Sequence, residues 1–347
     1  MKKISSLELF AGCGGLALGL EKAGFNHVLL NEFDKNASLT LKTNRPNWNV
    51  VDQDIHKVSF LKYKNQVDLI SGGFPCQAFS QSGKRLGFQD TRGTLFYEFA
   101  RAIKEVEPIC FLAENVKGLL NHEKGNTINT IISVFEELGY YVFNPILLNA
   151  NNYDVAQKRE RIFIFGVKNE FKEHFTFSPP NQSNQPTLQD IFFKGKFYNQ
   201  DVNDIKSVGT KYSKIKEDIF SKIPEGGNWK NLPIELQKSY LGKMFFSEGG
   251  KTGILKRLSY LTPSVTLLTS PSQKQTERCH PIYNRPLNIR EYARIQSFPD
   301  EWIFIGSISS QYKQIGNAVP VMLGYHVGKQ IYLQIEKLYE LNILDNI

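Results

Sequence analysis

Short apolar runs alternate with helix-patterned stretches over residues 1–180, and that alternation limits the fold more than any other feature of the chain. Ser6–Phe10, Val28–Asn31, Val67–Ser71, Ile109–Ala113, Val142–Leu148 and Arg161–Val167 read as buried strands, and Leu16–Ala23, Leu95–Val106 and Asn126–Leu138 read as helices between them. A β-α-β-α order of this kind is satisfied by an α/β fold with an open, doubly wound, mostly parallel sheet carrying helices on both faces. Pro179, Pro180 and the polar run at 181–186 end the pattern. The long stretch beyond is rich in Lys, Asn, Ser, Gly and aromatic residues without helical period, which predicts irregular β structure and loops. Helical patterning returns at Ile289–Gln296 and again from Val319 onward, and this last helix is expected to pack back onto the first part of the chain. No internal repeat is visible. The expected division is a first domain of 1–180 with 308–347, and a smaller, irregular second domain of 181–307.

A length of 347 residues suits two domains, and 41% hydrophobic residues supply a sizeable core. Four cysteines, Cys13, Cys76, Cys110 and Cys279, cannot form a disulfide framework and show no paired metal-ligand spacing, so no metal is expected. They fit a reducing cytosol. No run of 18 apolar residues exists, so no membrane span is expected; Glu8, Gly12, Gly14 and Gly15 disqualify the opening segment as a signal peptide. The net charge of +8 is unevenly spread. Residues 181–285 hold 16 Lys/Arg against 9 Asp/Glu, an excess of seven, which points to a polyanion-gripping part beside a near-neutral part.

Leu7 to Leu20 is a strand, a glycine turn and a helix. Such a turn brings a cofactor against the backbone with a helix N-terminus behind it, although the spacing is not that of a dinucleotide fingerprint. The next strand ends in Asn31-Glu32, an acidic residue suited to two ribose hydroxyls. The third ends before Asp54-Ile55, a carboxylate for an exocyclic amine beside an apolar wall. Three such positions at successive strand ends favour a bound nucleoside. S-adenosylmethionine, which has no pyrophosphate, needs such ribose and adenine contacts more than a phosphate cradle.

The strand Val67–Ser71 runs into Gly72-Gly73-Phe74-Pro75-Cys76-Gln77, placing Cys76 just beyond a strand's carboxyl end, where doubly wound sheets collect ligands. The strand Ile109–Ala113 delivers Glu114-Asn115-Val116 at its own carboxyl end, so Cys76 and Glu114 are expected to face one crevice. In Gln157-Lys-Arg-Glu-Arg161, strand alternation predicts Gln157, Arg159 and Arg161 on one side.

These elements together resemble the DNA (cytosine-5)-methyltransferases of bacterial restriction–modification systems. The resemblance covers nearly the whole chain in the family's order: the Phe10–Gly15 loop, Glu32, Asp54, GGFPCQAFS at 72–80, DTRGTLF at 90–96, ENV at 114–116, QKRER at 157–161, RPLNIREYARIQSFP at 285–299 and QIGNAVPV at 314–321. It implies a Rossmann-like S-adenosylmethionine-dependent methyltransferase domain and a target-recognition domain corresponding to the basic segment. It implies transfer of a methyl group from S-adenosylmethionine, leaving S-adenosylhomocysteine, to carbon 5 of a flipped-out cytosine in a short duplex sequence.

Carbon 5 of cytosine is a poor nucleophile until a thiolate adds at carbon 6, so Cys76 is the implied nucleophile. Glu114 would protonate N3 and accept from the exocyclic amine. Arg159 and Arg161 would bind the carbonyl oxygen and hold the loop. Phe10, Gly12, Gly14, Glu32, Phe33, Asp54, Ile55, Pro75, Leu95, Asn317 and Val319 match the family's cofactor positions. Phe33 stands where other members often carry a larger aromatic. Gln77, Ser80, Ser82, Arg85 and Arg92 match positions at the DNA. The implied partner is double-stranded DNA, met by a monomer, with a cognate restriction endonuclease acting on the same site without a stable complex.

Three other readings are open to the fold class, one of them a DNA-binding regulator that kept the fold but lost catalysis; it would tolerate losing Cys76, Glu114 or Arg159, and all are present. A nicotinamide oxidoreductase would want a pyrophosphate fingerprint and has no use for Pro75-Cys76-Gln77 with Glu114. The branch of the family that methylates transfer RNA is the closer rival, and the long basic insert stands against it. Arg, Lys, Gln and Asn within 250–285 can read base edges. The stretch Ser270–His280 is weakly similar to members acting on GATC-type sites.

Overall fold

The computed structural model describes residues 3–75, 95–246, 252–273 and 275–343. It divides into two compact units: Met1–Tyr153 with Glu160–Ser183 and Val319–Ile347, and Asp154–Arg159 with Asn184–Ala318.

The first unit is built on an eight-stranded sheet. Strands β1 (Ser5–Leu9), β2 (Asn26–Asn31), β3 (Val50–Val51), β4 (Leu69–Gly72) and β5 (Cys110–Val116) run parallel in the order β3-β2-β1-β4-β5. Side chains along β1 alternate between the two faces, as a strand requires. Leu7 and Leu9 join the apolar core with Phe96 and Phe99 of helix α3 (Leu95–Val106) and Ile131 and Phe135 of helix α4 (Asn126–Glu137). Ser6 and Glu8 point the other way, toward helix α1 (Gly15–Ala23): Ser6 meets His27, whose other ring nitrogen lies 2.8 Å from the Ala17 carbonyl. Both faces are therefore covered, as the alternation in the sequence predicted.

Three features differ from the sequence reading. Helix α2 (Lys35–Asn44) was not expected; its polar sequence buries only Ala37, Ser38, Thr40 and Leu41, and Asp34 caps it by accepting from the Asn36 and Ala37 amides. The single strand expected over Val142–Leu148 is two, β6 (Tyr140–Val142) and β7 (Ile146–Asn149), broken at Pro145, which has no N–H to give a ladder. Both pair antiparallel with the long strand β9 (Glu160–Lys168), which is itself antiparallel to β5. No α-helix separates β7 from β9, so no parallel crossover is available there.

Helix α10 (Val321–Glu340) closes the first unit by packing on α1 through glycines. A Cβ on Gly19 would lie 2.6 Å from the Val321 carbonyl, and one on Gly328 would lie 2.6 Å from the Leu20 side chain.

The second unit is more helical than expected. It carries helices α5 (Leu188–Phe192), α6 (Lys214–Phe220), α7 (Ile234–Leu241), α8 (Ile289–Ile295) and α9 (Ile308–Asn317); among the described residues its strands are two-residue pieces, β8 (Gln157–Lys158) and β10 (Ser264–Val265). Tyr212, Phe220, Trp229, Leu241, Leu255 and Cys279 form a core of their own. Much of its charge is internal. The Arg257 guanidinium, 3% exposed, donates to carbonyls of Phe220, Ile223 and His280. Buried Glu277 takes Lys216 at 2.6 Å.

Candidate active site

In an open parallel sheet, neighbouring strands whose connections leave in opposite directions open a crevice at their carboxyl ends. Here that point lies between β1 and β4, and the two loops singled out in the sequence leave from it. After β1 the backbone turns sharply: Phe10 and Gly12 each have a φ of 56° and Gly14 a φ of 90° before α1 begins. Glu32, just past β2, fastens this turn. Its Oε2 accepts from the Gly12 amide at 2.7 Å and its Oε1 from the Asp34 amide at 2.6 Å. Nothing lies within 4 Å of where a Gly12 Cβ would be, so the turn leaves open space beside a carboxylate. Phe33, next to Glu32, is 70% exposed and offers a flat apolar face.

Asn31 links this region to the third strand end by donating to the Gln53 carbonyl at 2.9 Å. Asp54 follows, capping a short 3-10 turn (Ile55–Lys57); bonds from the His56 ring and amide hold its carboxyl below the usual range. Ile55 is packed in the core at 3% exposure. A glycine cradle with open space, an exposed aromatic face and two carboxylates at adjoining strand ends fit a nucleoside-bearing cofactor. Leu95 opens α3, partly buried, and Pro75 is exposed. Val319 is buried in the first unit, whereas Asn317 ends α9 in the second.

The other side of the crevice is acidic and basic at once. Glu114, at the end of β5, sits where β9 runs back alongside, with Val116 opposite Arg161. The Arg161 Nε lies 2.8 Å from Glu114 Oε1, and both side chains are only 11–12% exposed. Burial pulls the Arg161 guanidinium pKa down while Glu114 opposes the shift. Asn115 donates from its side chain to the Phe74 carbonyl at 2.9 Å, tying the Gly-Pro loop after β4 to the end of β5. Sequence reasoning quoted Asn115 but gave it no task.

Gln157, Arg159 and Arg161 do not form one strand. β8 stops at Lys158 and pairs with β10, while β9 starts at Glu160 and pairs with β5. Gln157 and Arg159 are buried within the second unit: Gln157 bonds Gln296 and the Leu267 amide, and Arg159 donates to the Leu267 and Gly316 carbonyls at 3.0 and 2.9 Å. Arg161 pairs with Glu114 in the first unit. Cys76, Gln77, Ser80, Ser82, Arg85 and Arg92 lie outside the described residues. The other three cysteines are buried, and burial raises each thiol pKa, that of Cys279 to about 12.

A crevice with a nucleoside-type cradle on one flank and an Arg-held carboxylate beside a Gly-Pro loop on the other defines a group-transfer enzyme of the Rossmann-like methyltransferase class. The sequence profile described as "C-5 cytosine-specific DNA methylase" matches residues 4–333, and the chain belongs to that family of DNA cytosine-5 methyltransferases. It is 55% identical over 333 residues to the Type II methyltransferase M.Eco47II of Escherichia coli, covering 96% of this chain and 79% of that protein. It is 49% identical over 339 residues to M.Sau96I of Staphylococcus aureus, covering 95% and 76%. Among solved structures, a prophage-encoded DNA modification methyltransferase of E. coli superposes with a TM-score of 0.69 at 26% identity, covering 96% of this chain and 99% of that one. A Dnmt2 structure from Spodoptera frugiperda, at 18% identity and a TM-score of 0.63, shares the fold.

Proposed function

We propose that the chain methylates carbon 5 of a flipped-out cytosine through a covalent bond between the Cys76 sulfur and carbon 6, as the modification enzyme of a restriction–modification system. The observation that carries this reading is the Glu114–Arg161 pair, 2.8 Å apart, beside the loop that leads through Pro75 into Cys76. S-adenosylmethionine supplies the methyl group. Glu32 would take its ribose hydroxyls, Phe33 would stack on the adenine and Asp54 would accept from the exocyclic amine.

On the base, the Cys76 thiolate adds to carbon 6 as Glu114 gives a proton to N3, so the ring becomes an enamine rather than a carbanion. Arg161 holds Glu114 in place and lies in reach of the base's carbonyl oxygen. Carbon 5 then bonds to the methyl carbon as that carbon's bond to the sulfonium sulfur breaks, leaving S-adenosylhomocysteine. Loss of the carbon 5 proton to a water-borne base expels the Cys76 thiolate and frees the product. Cys13, Cys110 and Cys279 are poor candidates for the nucleophile, because their burial keeps the thiols protonated.

The second unit, with its excess of basic residues, is assigned to the duplex, and a monomer suffices for the reaction. A cognate endonuclease would share the site without binding this chain. Among the described residues no helix is long and apolar enough to cross a membrane.

The test is trapping. Fluorine at carbon 5 of the target cytosine cannot leave as a proton, so the protein should stay covalently joined to DNA in the presence of S-adenosylmethionine. Cys76→Ala should form no adduct yet still bind the duplex. An adduct with Cys76→Ala, or a crosslink mapped to another cysteine, would overturn the mechanism.

A further inference from the structure

The two glycines that end β4 differ in what they accommodate. A Cβ on Gly72 would lie 2.4 Å from the Leu9 carbonyl of β1, so Gly72 serves the approach of two strands. A Cβ on Gly73 would lie 2.7 Å from Glu114 Oε2, with the Glu114 carbonyl at 3.6 Å and its carboxyl carbon at 3.9 Å as the next nearest atoms. All three belong to one residue, the carboxylate on which the proposed chemistry turns. The Gly73 backbone lies outside the left-handed region, so an alanine could adopt it without strain. Only space demands glycine there.

The carboxylate cannot simply step aside. Its Oε1 is held 2.8 Å from Arg161 Nε, and the side chain is 11% exposed. The loop cannot step aside either, since Asn115 grips the Phe74 carbonyl at 2.9 Å from the opposite strand end. We propose that Gly73 is a positioning residue: its missing side chain is the gap that seats Glu114 Oε2, and so sets where the acid meets N3 of the flipped cytosine. The inference rests on the acid role given to Glu114 above. An alanine would displace the carboxylate by several tenths of an ångström while leaving every charge in place. Misplacements approaching 1 Å cost catalysis up to about a hundredfold.

The experiment is a double-mutant cycle on single-turnover methyl transfer to duplex DNA, with cofactor affinity and thermal unfolding measured alongside. Gly73→Ala should slow transfer by about 10- to 100-fold with cofactor affinity within about twofold of the parent. In the Glu114→Gln background, where the acid is already lost, the same change should cost less than about threefold. An equal cost in both backgrounds, or no cost in the parent, overturns the positioning role while the acid role stands. A parental rate in Glu114→Gln instead overturns the acid role and this inference with it. Should Gly73→Ala fail to fold, Gly73→Ala/Glu114→Asp decides: the shorter carboxylate withdraws from the new Cβ and should restore folding. Continued failure to fold would place the clash elsewhere and refute the inference.

Discussion

Glu8 offers a test of the fold that is independent of the chemistry. It lies in the middle of β1, 1% exposed, on the face covered by α1, with Ser71 Oγ at 3.4 Å and the Ala17 amide as hydrogen-bond donors. Burial raises its pKa from 4.5 to about 8. The folded protein therefore holds a proton at Glu8 that the unfolded chain releases above its ordinary value, so stability falls as pH rises from 4.5 toward 8. At roughly 1.4 kcal/mol per pH unit, the full span is worth about 5 kcal/mol. His27, packed on the same face, titrates in the opposite sense. Burial lowers its pKa, so the folded state refuses a proton the unfolded state takes up, and stability is lost as pH falls through the ordinary histidine value of 6.5. The two effects oppose each other below that pH, leaving Glu8 dominant of the pair above it. Between pH 6.5 and 8 the Glu8 share amounts to about 2 kcal/mol. Glu8→Gln keeps an oxygen for Ser71 and Ala17 but cannot ionise. Urea midpoints measured at half-unit steps from pH 6.5 to 8.5 should show the variant gaining on the parent by about 2 kcal/mol across the window. Parallel curves would mean that Glu8 is ionised in the folded protein, and that the polar face of β1 is wetter than the structure has it.

Two further predictions concern ligands. Glu32→Ala should weaken S-adenosylmethionine binding by about 1.5–3 kcal/mol, because a charge-assisted acceptor is lost along with the tie on the Gly12 amide; calorimetry giving equal affinities would remove Glu32 from the site. Duplex affinity should fall with salt by about 0.9 log units per log unit for each phosphate neutralised, and a titration with no slope would refute the grip assigned to the basic unit.

Legibility in the sequence followed the strength of local signals. The parallel half of the sheet was readable because β1, β2, β4 and β5 are short apolar runs set off by polar or glycine boundaries, and α3 matches its expected limits, Leu95–Val106. Helix α2 escaped because a narrow buried stripe of Ala, Ser, Thr and Leu carries little periodic contrast, and only the Asp34 cap marked it. In the second unit, α5 has a capping box of Thr187 with Asp190 and a buried stripe of Leu188, Ile191 and Phe192, but its five residues are too few for a helical period to stand out. The parting of Arg159 from Arg161 was hidden because both lie in one charged run. The break at Arg159 arises from pairing with β10, more than a hundred residues away. Of the proposed site, Glu114 and Glu32 were visible as residue types at strand ends, and Cys76 was singled out by the Gly-Pro run before it. The proposed role of Gly73 was not, because closeness to a carboxylate distant in sequence leaves no local mark.

On the proposed function, the strand order lets one crevice serve two ligands. Carboxylates at the ends of β2 and β3 flank the glycine turn after β1, while Glu114 of β5 and Arg161 of β9 flank the loop after β4. The proposed donor and acceptor halves would therefore meet where β1 pairs with β4, with Leu9 opposite Gly72. That spacing is set by backbone, since any side chain at Gly72 would strike the Leu9 carbonyl. Methyl transfer needs two reactants held within about 3–3.5 Å in line, and loops alone would hold that separation poorly. On the proposed function it would be set by the ladder of hydrogen bonds between adjacent strands, with Asn115 on Phe74 and Glu32 on Gly12 carrying that rigidity outward into the loops.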